Sequence, residues 1–167
     1  MKKTYKFCPL CANKLTKKLK SNKIRLICDK CGFIHYQNPA PAVGVFIIEK
    51  QKVLLAKRKI KPYLGWWDSI GGFIEAGESP QETAIRETKE ETGLKIKLLK
   101  FLGATNDKYD NIDIVPMAYI GKIISGKPKP ADDVSKLKWF HLQKLPKRIA
   151  FKANRKTLSF LKNKIPK

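Results

Sequence analysis

Two groups of residues in this 167-residue chain have types and spacings suited to chemistry: acids and glycines between positions 68 and 94, and four cysteines before position 32. Seven of the fourteen acids (Asp68, Glu75, Glu78, Glu82, Glu87, Glu90 and Glu91) fall between positions 68 and 91 of a chain whose formal charge is +22. Local signals predict a helix there. Ser79 is a good N-cap, Pro80 suits the first helical position, Glu82 completes a capping box, and Gly93 supplies the stop. On a helix over 80–92, Glu87, Glu90 and Glu91 share an arc of roughly 100°. Carboxylates so close repel one another unless a cation sits among them, and carboxylate oxygens suit Mg²⁺ or Mn²⁺. A solvated acidic face would account for a pair of glutamates. It accounts for neither the preceding Gly71, Gly72 and Gly77 nor the concentration of acids in so basic a chain. Arg86 is placed to pair with Glu78 or Glu75 and hold that loop against the helix.

The cysteines read Cys8-Pro9-Leu10-Cys11, sixteen residues, then Cys28-Asp29-Lys30-Cys31. Two C-x2-C pairs at this separation are the spacing of a structural Zn²⁺ site, each pair giving two thiolates from one tight turn. Four thiolates fill a tetrahedral shell and leave no position for a catalytic water. Two disulfides are the weaker alternative, because no export signal precedes them. His35 lies outside the turns and is not expected to be a ligand.

The elements that must position these groups divide the chain. Residues 1–38 form a small basic module holding every cysteine and one acid, Asp29, and it ends at Asn38-Pro39-Ala40-Pro41, a linker-like stretch. In 39–167, Val43–Glu49 and Val53–Arg58 read as a hairpin. Lys95–Ala104 and Ile112–Ile124 are further strands, the second bent at Pro116, and Leu137–Phe140 closes the strand region. Leu145–Lys167 has no acid and reads as a basic terminal helix.

Composition sets the outer bounds. Hydrophobic residues make up 43% of the chain, enough for a real core at this length. The longest apolar stretch, Ala42 to Ile48, is far below the roughly 20 residues of a membrane helix, so a cytoplasmic protein without membrane contact is expected. Thirty-six Lys and Arg raise the local concentration of phosphates and nucleic acids. A lysine-rich composition without any dedicated partner would give the same count.

The acidic segment resembles the Nudix box, G-x5-E-x7-R-E-U-x-E-E-x-G-U with U a bulky aliphatic, through Gly72, Glu78, Arg86, Glu87, Glu90, Glu91, Gly93 and Leu94. Thr88 departs at the first U, and Ile70 stands where proline often precedes the paired glycines. The resemblance covers roughly residues 40 to 162. It implies an α/β fold, the Nudix α/β/α sandwich around a mixed sheet, here preceded by a zinc ribbon, and an enzyme that hydrolyses nucleoside diphosphates linked to another moiety. It further implies that Glu87, Glu90, Glu91 and the Gly72 carbonyl hold Mg²⁺ or Mn²⁺, with Arg86 and Glu78 completing the catalytic set and Cys8, Cys11, Cys28 and Cys31 holding Zn²⁺. The general base stays open among Glu90, Glu91, Asp107, Asp110, Asp113, Asp132 and Asp133. Arg58 is the candidate phosphate contact from the scaffold, and Trp66 or Trp67 the candidate to stack on a base.

The ribbon joined through Tyr36-Gln37-Asn38-Pro39 resembles the branch that includes NADH pyrophosphatases. The Ser-Gln-Pro-Trp-Pro-Phe-Pro stretch of that branch is absent after the box, where the chain reads Phe101-Leu-Gly-Ala-Thr-Asn-Asp-Lys-Tyr-Asp-Asn. ADP-ribose or a related nucleotide sugar is therefore the leading substrate. NADH, dinucleoside polyphosphates and noncanonical nucleoside triphosphates follow, and then RNA 5′-end processing or RNA binding through the basic ribbon. A second copy of the chain is kept among the expected partners.

Overall fold

The computed structural model describes residues 5–164, which separate at Pro39 into two units. The first carries β1 (Leu15–Lys20), β2 (Lys23–Cys28) and β3 (Ile34–His35) in one antiparallel sheet of that order. Each cysteine pair sits in a tight turn. Ala12 N–H donates to the Cys8 carbonyl and Gly32 N–H to the Cys28 carbonyl, and both turn-closing residues have positive φ, 58° and 76°. The core of this unit is little more than Cys8, Leu15 and Cys28, with Cys11, Leu26 and Phe33 against them.

In the second unit, β4 (Ala40–Glu49) and β5 (Lys52–Arg58) form the expected hairpin. Its turn residues Lys50 and Gln51 both have positive φ, as a two-residue turn matched to strand twist requires. The short β6 (Trp67–Asp68) pairs with β5, and α1 spans Pro80–Thr92. The strands β7 (Lys95–Ala104), β8 (Asp107–Tyr109), β9 (Ile112–Ser125) and β10 (Val134–His141) follow, and then α2 (Lys152–Lys164). The main sheet runs β10-β5-β4-β9-β7, antiparallel except for the parallel pair β4–β9.

Residues 43–48 are apolar without alternation except at Gly44 because both faces of β4 are covered. Val43, Val45 and Ile47 point into one cluster with Ala84 and Leu94 of the α1 region. Phe46 joins Val53 and Leu55 in a second cluster with Leu158 and Leu161 of α2. A sheet with a helix on each face is the α/β/α sandwich expected.

Two readings need refinement. The terminal helix begins at Lys152, not Leu145, because the stretch before it is drawn to the sheet: Trp67 N–H donates to the Arg148 carbonyl and Ala150 N–H to the Trp67 carbonyl. Residues 165–167 lie outside the described part. Strand β9 runs through Pro116, whose missing N–H falls where its neighbour changes from β8, paired at Ile114, to β7, paired from Met117.

Candidate active site

The helix α1 starts as its capping box dictates. The Ser79 hydroxyl accepts from the Glu82 N–H at 3.2 Å, and the Glu82 carboxylate accepts from the Ser79 N–H at 2.8 Å. It ends at Gly93 with φ 70°. Thr88, the polar residue in an aliphatic position, is fully buried. Its hydroxyl donates to the Ala84 carbonyl at 2.7 Å, so the helix absorbs its polarity internally. Ile70 is fully buried too. Its N–H donates to the Val45 carbonyl and its own carbonyl accepts from the Val45 N–H, a bridge to β4 whose first bond a proline could not make.

Between that bridge and the helix the glycines are held by close approach. Gly71 has φ 145°, and a Cβ there would stand 2.3 Å from the Val43 carbonyl oxygen. A Cβ on Gly72 would stand 2.5 Å from Glu87 Oε1. The missing side chain of Gly72 is therefore what lets Glu87 lie against the loop.

Arg86 organises the carboxylates. Its Nε donates to Glu78 Oε1 at 2.6 Å and its Nη2 to Glu78 Oε2 at 2.9 Å, a bidentate pair. Its Nη1 donates to Glu87 Oε1 at 2.9 Å and to Glu90 Oε2 at 2.8 Å. This guanidinium brings the Glu78 carboxyl down to about 2, and the Glu78 carboxylate in turn holds Arg86 protonated well beyond its ordinary range. Glu91 is the buried member of the triad, and one oxygen accepts the Gly71 N–H at 2.9 Å. Burial pushes its carboxyl well up, against that hydrogen bond, and burial also raises Glu87.

Arg86, Glu87, Glu90 and Glu91 line one cleft of about 280 Å³ with Gly72, Phe73, Arg58, Asp68, Tyr109, Asp132 and Asp133. Asp132 and Asp133 reach it because their loop is tied to α1: Lys129 N–H donates to the Thr92 carbonyl and Ala131 N–H to the Glu91 carbonyl. The other candidate bases go elsewhere. Asp107 accepts the Ala153 N–H at 2.6 Å near the start of α2, Asp113 faces Lys108 at 4.0 Å, and Asp110 sits in the β8–β9 turn.

Arg58 lines the cleft with its guanidinium already engaged. It donates from Nη1 to Asp68 at 2.8 Å and from Nε to the Pro62 carbonyl at 2.7 Å. Asp68 is buried, accepts as well from the Asn154 amide, and is raised to about 6 by desolvation, which outweighs Arg58. Trp66 and Trp67 do not line the cleft. Trp66 meets Tyr63, and Trp67 packs edge-on against Phe140 in the core under α2. The aromatic groups at the cleft are Phe73 and Tyr109, 5.3 Å apart, and Phe151 of the adjoining recess stacks on Tyr109 at 5.8 Å. The three come from the box loop, β8 and the start of α2, and they wall an apolar recess beside the carboxylates together with Ile114 and Pro116. No local pattern joins them, so only the tertiary fold reveals the group.

In the ribbon the four Sγ atoms lie within 4.8 Å of one another, with pairs at 3.4, 3.5 and 3.6 Å. The edge of a ZnS₄ tetrahedron is about 3.8 Å, whereas a disulfide needs about 2.05 Å, so the set fits a tetrahedral metal. Among the described residues this is the one such cluster with its ligand atoms already converged. The three box carboxylates face a common cleft but are individually engaged by Arg86 and Gly71. Their donor set suits a hard divalent cation, which would compete with those hydrogen bonds.

Known proteins share these features. The family description "NUDIX domain" matches residues 38–161 and "Nudix N-terminal" matches residues 6–37. An ADP-ribose pyrophosphatase of Methanocaldococcus jannaschii is 36% identical over 138 residues, 81% of this chain and 76% of that protein. The NAD-capped RNA hydrolase NudC of Vibrio vulnificus is 29% identical over 147 residues, 87% of this chain. The chain matches 54% of that relative, about half its length. Among solved structures, a NUDIX hydrolase from Nitrosomonas europaea superposes with a TM-score of 0.83 at 30% identity, covering 96% of this chain and 92% of its own.

Proposed function

The chain belongs to the Nudix hydrolase family, and from that premise we propose that it hydrolyses the pyrophosphate bond of ADP-ribose or a related nucleotide sugar with Mg²⁺ or Mn²⁺. The observation that carries this reading is the cleft in which Glu87, Glu90 and Glu91 face Gly72 while Arg86 ties the helix to the loop through Glu78. Glu87, Glu90, Glu91 and the Gly72 carbonyl would hold the divalent ions. Bound there, such ions would supply positive charge against that building at the attacked phosphorus and would lower the pKa of a water. The chain's own contribution is positioning. Arg86 spaces the carboxylates, the Gly71 N–H orients Glu91, and Asp132, Asp133 or a triad glutamate takes the proton of the attacking water. Water adds to one phosphorus, the bridging P–O bond breaks, and ADP-ribose yields AMP and ribose 5-phosphate.

Support for the nucleotide sugar comes from the 36%-identical ADP-ribose pyrophosphatase. It comes also from the recess beside Phe73, Tyr109 and Phe151, which suits a base or ribose next to a polar pyrophosphate site. The similarity to NAD-capped RNA hydrolases favours a second reading, an NAD-type dinucleotide or RNA 5′ end. The missing post-box motif ranks it below the first. In the ribbon, Zn²⁺ on the four cysteines would act as a structural ion.

The test is turnover with Mg²⁺ and then Mn²⁺ on ADP-ribose, NADH, a diadenosine polyphosphate, nucleoside triphosphates and NAD-capped RNA, with products identified by mass. Metal-dependent release of AMP and ribose 5-phosphate at the highest kcat/KM is the expected result. Cleavage of capped RNA alone would overturn the ranking.

A further inference from the structure

The hairpin of β1 and β2 carries cations that the ribbon's metal site does not use. In its register Lys18 stands opposite Arg25, and Lys20 opposite Lys23. Strand residues two apart share a face, so all four lie on one side of the hairpin. Like charges directly opposite each other weaken an antiparallel pair, and the ribbon's small core has little to offset that cost. Lys18 is answered by Asp29 at 2.5 Å. Among the described residues Lys20, Lys23 and Arg25 have no carboxylate partner. The Arg25 guanidinium lies instead 4.4 Å from the centre of the Tyr36 ring, which is 52% exposed. The exposed apolar side chains Leu19 and Ile24 belong to the opposite face.

We propose that this face binds single-stranded nucleic acid, its backbone phosphates on Lys20, Lys23 and Arg25 and a base against Tyr36. Cations two residues apart on one strand are separated by about 7 Å, a spacing open to successive phosphates of an extended strand. A guanidinium held over an exposed aromatic ring is the pairing that stacks bases without reading sequence. The proposal goes beyond the hydrolytic reading and does not depend on it.

The test is fluorescence anisotropy of a short fluorescein-labelled oligouridylate titrated with the full chain at several salt concentrations. The triple variant Lys20→Gln, Lys23→Gln, Arg25→Gln is compared with a charge-matched triple on the exposed side of β7, Lys95→Gln, Lys97→Gln, Lys100→Gln. Equal zinc content verifies that the ribbon is folded. The ribbon triple is expected to lose at least about tenfold in affinity at low salt and to lower the log–log salt slope by about 2, as three lost contacts to a single strand would. The β7 triple should change affinity by less than about twofold on the same reasoning. Tyr36→Ala should weaken binding where Tyr36→Phe does not. Unchanged binding by the ribbon triple overturns the proposal, as do equal losses in both triples, which would mean a general field of the +22 chain. Displacement of the oligonucleotide by phosphatidylserine vesicles through the same three residues would identify a membrane surface instead. Turnover of ADP-ribose is read in parallel and should be unaffected in the ribbon triple, so that either proposal can fail without the other.

Discussion

Among the described residues Arg86 is the one cation that touches three acids, Glu78, Glu87 and Glu90, and its contacts are unequal. Glu78 takes two of its nitrogens in a fork, while Glu87 and Glu90 share the third, Nη1. The fork joins loop to helix, and the shared nitrogen leaves Glu87 and Glu90, the proposed metal ligands, the easier to recruit. Glu90, the most exposed of the three pairing acids, is therefore the residue whose loss should harm chemistry without harming the fold. Glu90→Gln is expected to lower kcat roughly a hundredfold or more, the consequence of losing about 3 kcal/mol of charge stabilisation. Its thermal midpoint should stay near that of the parent, and a parental rate would dismiss the box as the catalytic site.

The buried acids make a second, pH-dependent prediction. Asp68 is raised to about 6 by burial and Glu91 is raised well above its ordinary value for the same reason. The folded metal-free chain thus holds protons that the unfolded chain releases near pH 4, and its stability falls as pH rises from about 4 through 6. Glu78 acts in the other direction but only lower, since with Arg86 beside it its contribution is lost as pH falls from about 4.5 toward 2. Calorimetry in chelator should find the highest melting temperature near pH 4 to 4.5 and a decline as pH rises through 6. Added Mg²⁺ should recover stability chiefly at the alkaline end, where the carboxylates are charged. A metal-free midpoint that climbs steadily from pH 5 to 8 would refute the assignment.

Among the elements, α1 was legible to the residue because its signals are local: Ser79, Pro80, Glu82 and Gly93 each act within a turn of their own position. Strands β4 and β5 were legible from their apolar runs, and β7 from its alternation of apolar and basic residues. The strands β6 and β8 were not, being two and three residues long and specified by their partners rather than by their own pattern. The same holds for residues 145–151, whose apolar side chains look helical until the backbone of Trp67 claims the chain. The placement of Trp66 and Trp67 away from the cleft follows from that claim, and Phe73 and Tyr109 stand there instead, with Phe151 in the recess beside them. Local and tertiary specification should also differ in energy. Ser79→Ala removes one cap and should cost about 1 kcal/mol, or about 2–4 °C in melting temperature for a chain of this length. Gly71→Ala forces a side chain into a left-handed backbone against the Val43 carbonyl, 2.3 Å from where its Cβ would be. Because that neighbour is backbone of the central strand and cannot turn aside, the loss should exceed that of Ser79→Ala severalfold, and thermal scans of the two variants side by side will read the order.

At the scale of the whole molecule the two units rest on different physics. Both core clusters of the second unit are assembled from residues between Val43 and Leu161, so its stability comes from apolar burial that asks nothing of the cysteines. Among its described residues the ribbon has three buried apolar ones, two of which are metal-ligand candidates, and an apolar core that small does not outweigh the ordering of more than thirty residues. A metal ion on the four thiolates would therefore supply most of its folding free energy. Stripping the intact chain with a strong chelator under reducing conditions should release one zinc per chain and make four thiols reactive. Backbone amides of Leu15–Lys20 and Lys23–Cys28 should lose protection in hydrogen exchange, while those of Phe46 and Leu54 keep theirs. Restoring Mg²⁺ alone should then return hydrolysis of a small nucleotide, since the proposed catalytic groups lie between Gly72 and Asp133, and restoring zinc should return the thiols to silence. If protection in β4 and β5 collapses together with that of the ribbon, the thiolate cluster is holding up the sandwich as well, and the apolar clusters are less sufficient than their burial implies.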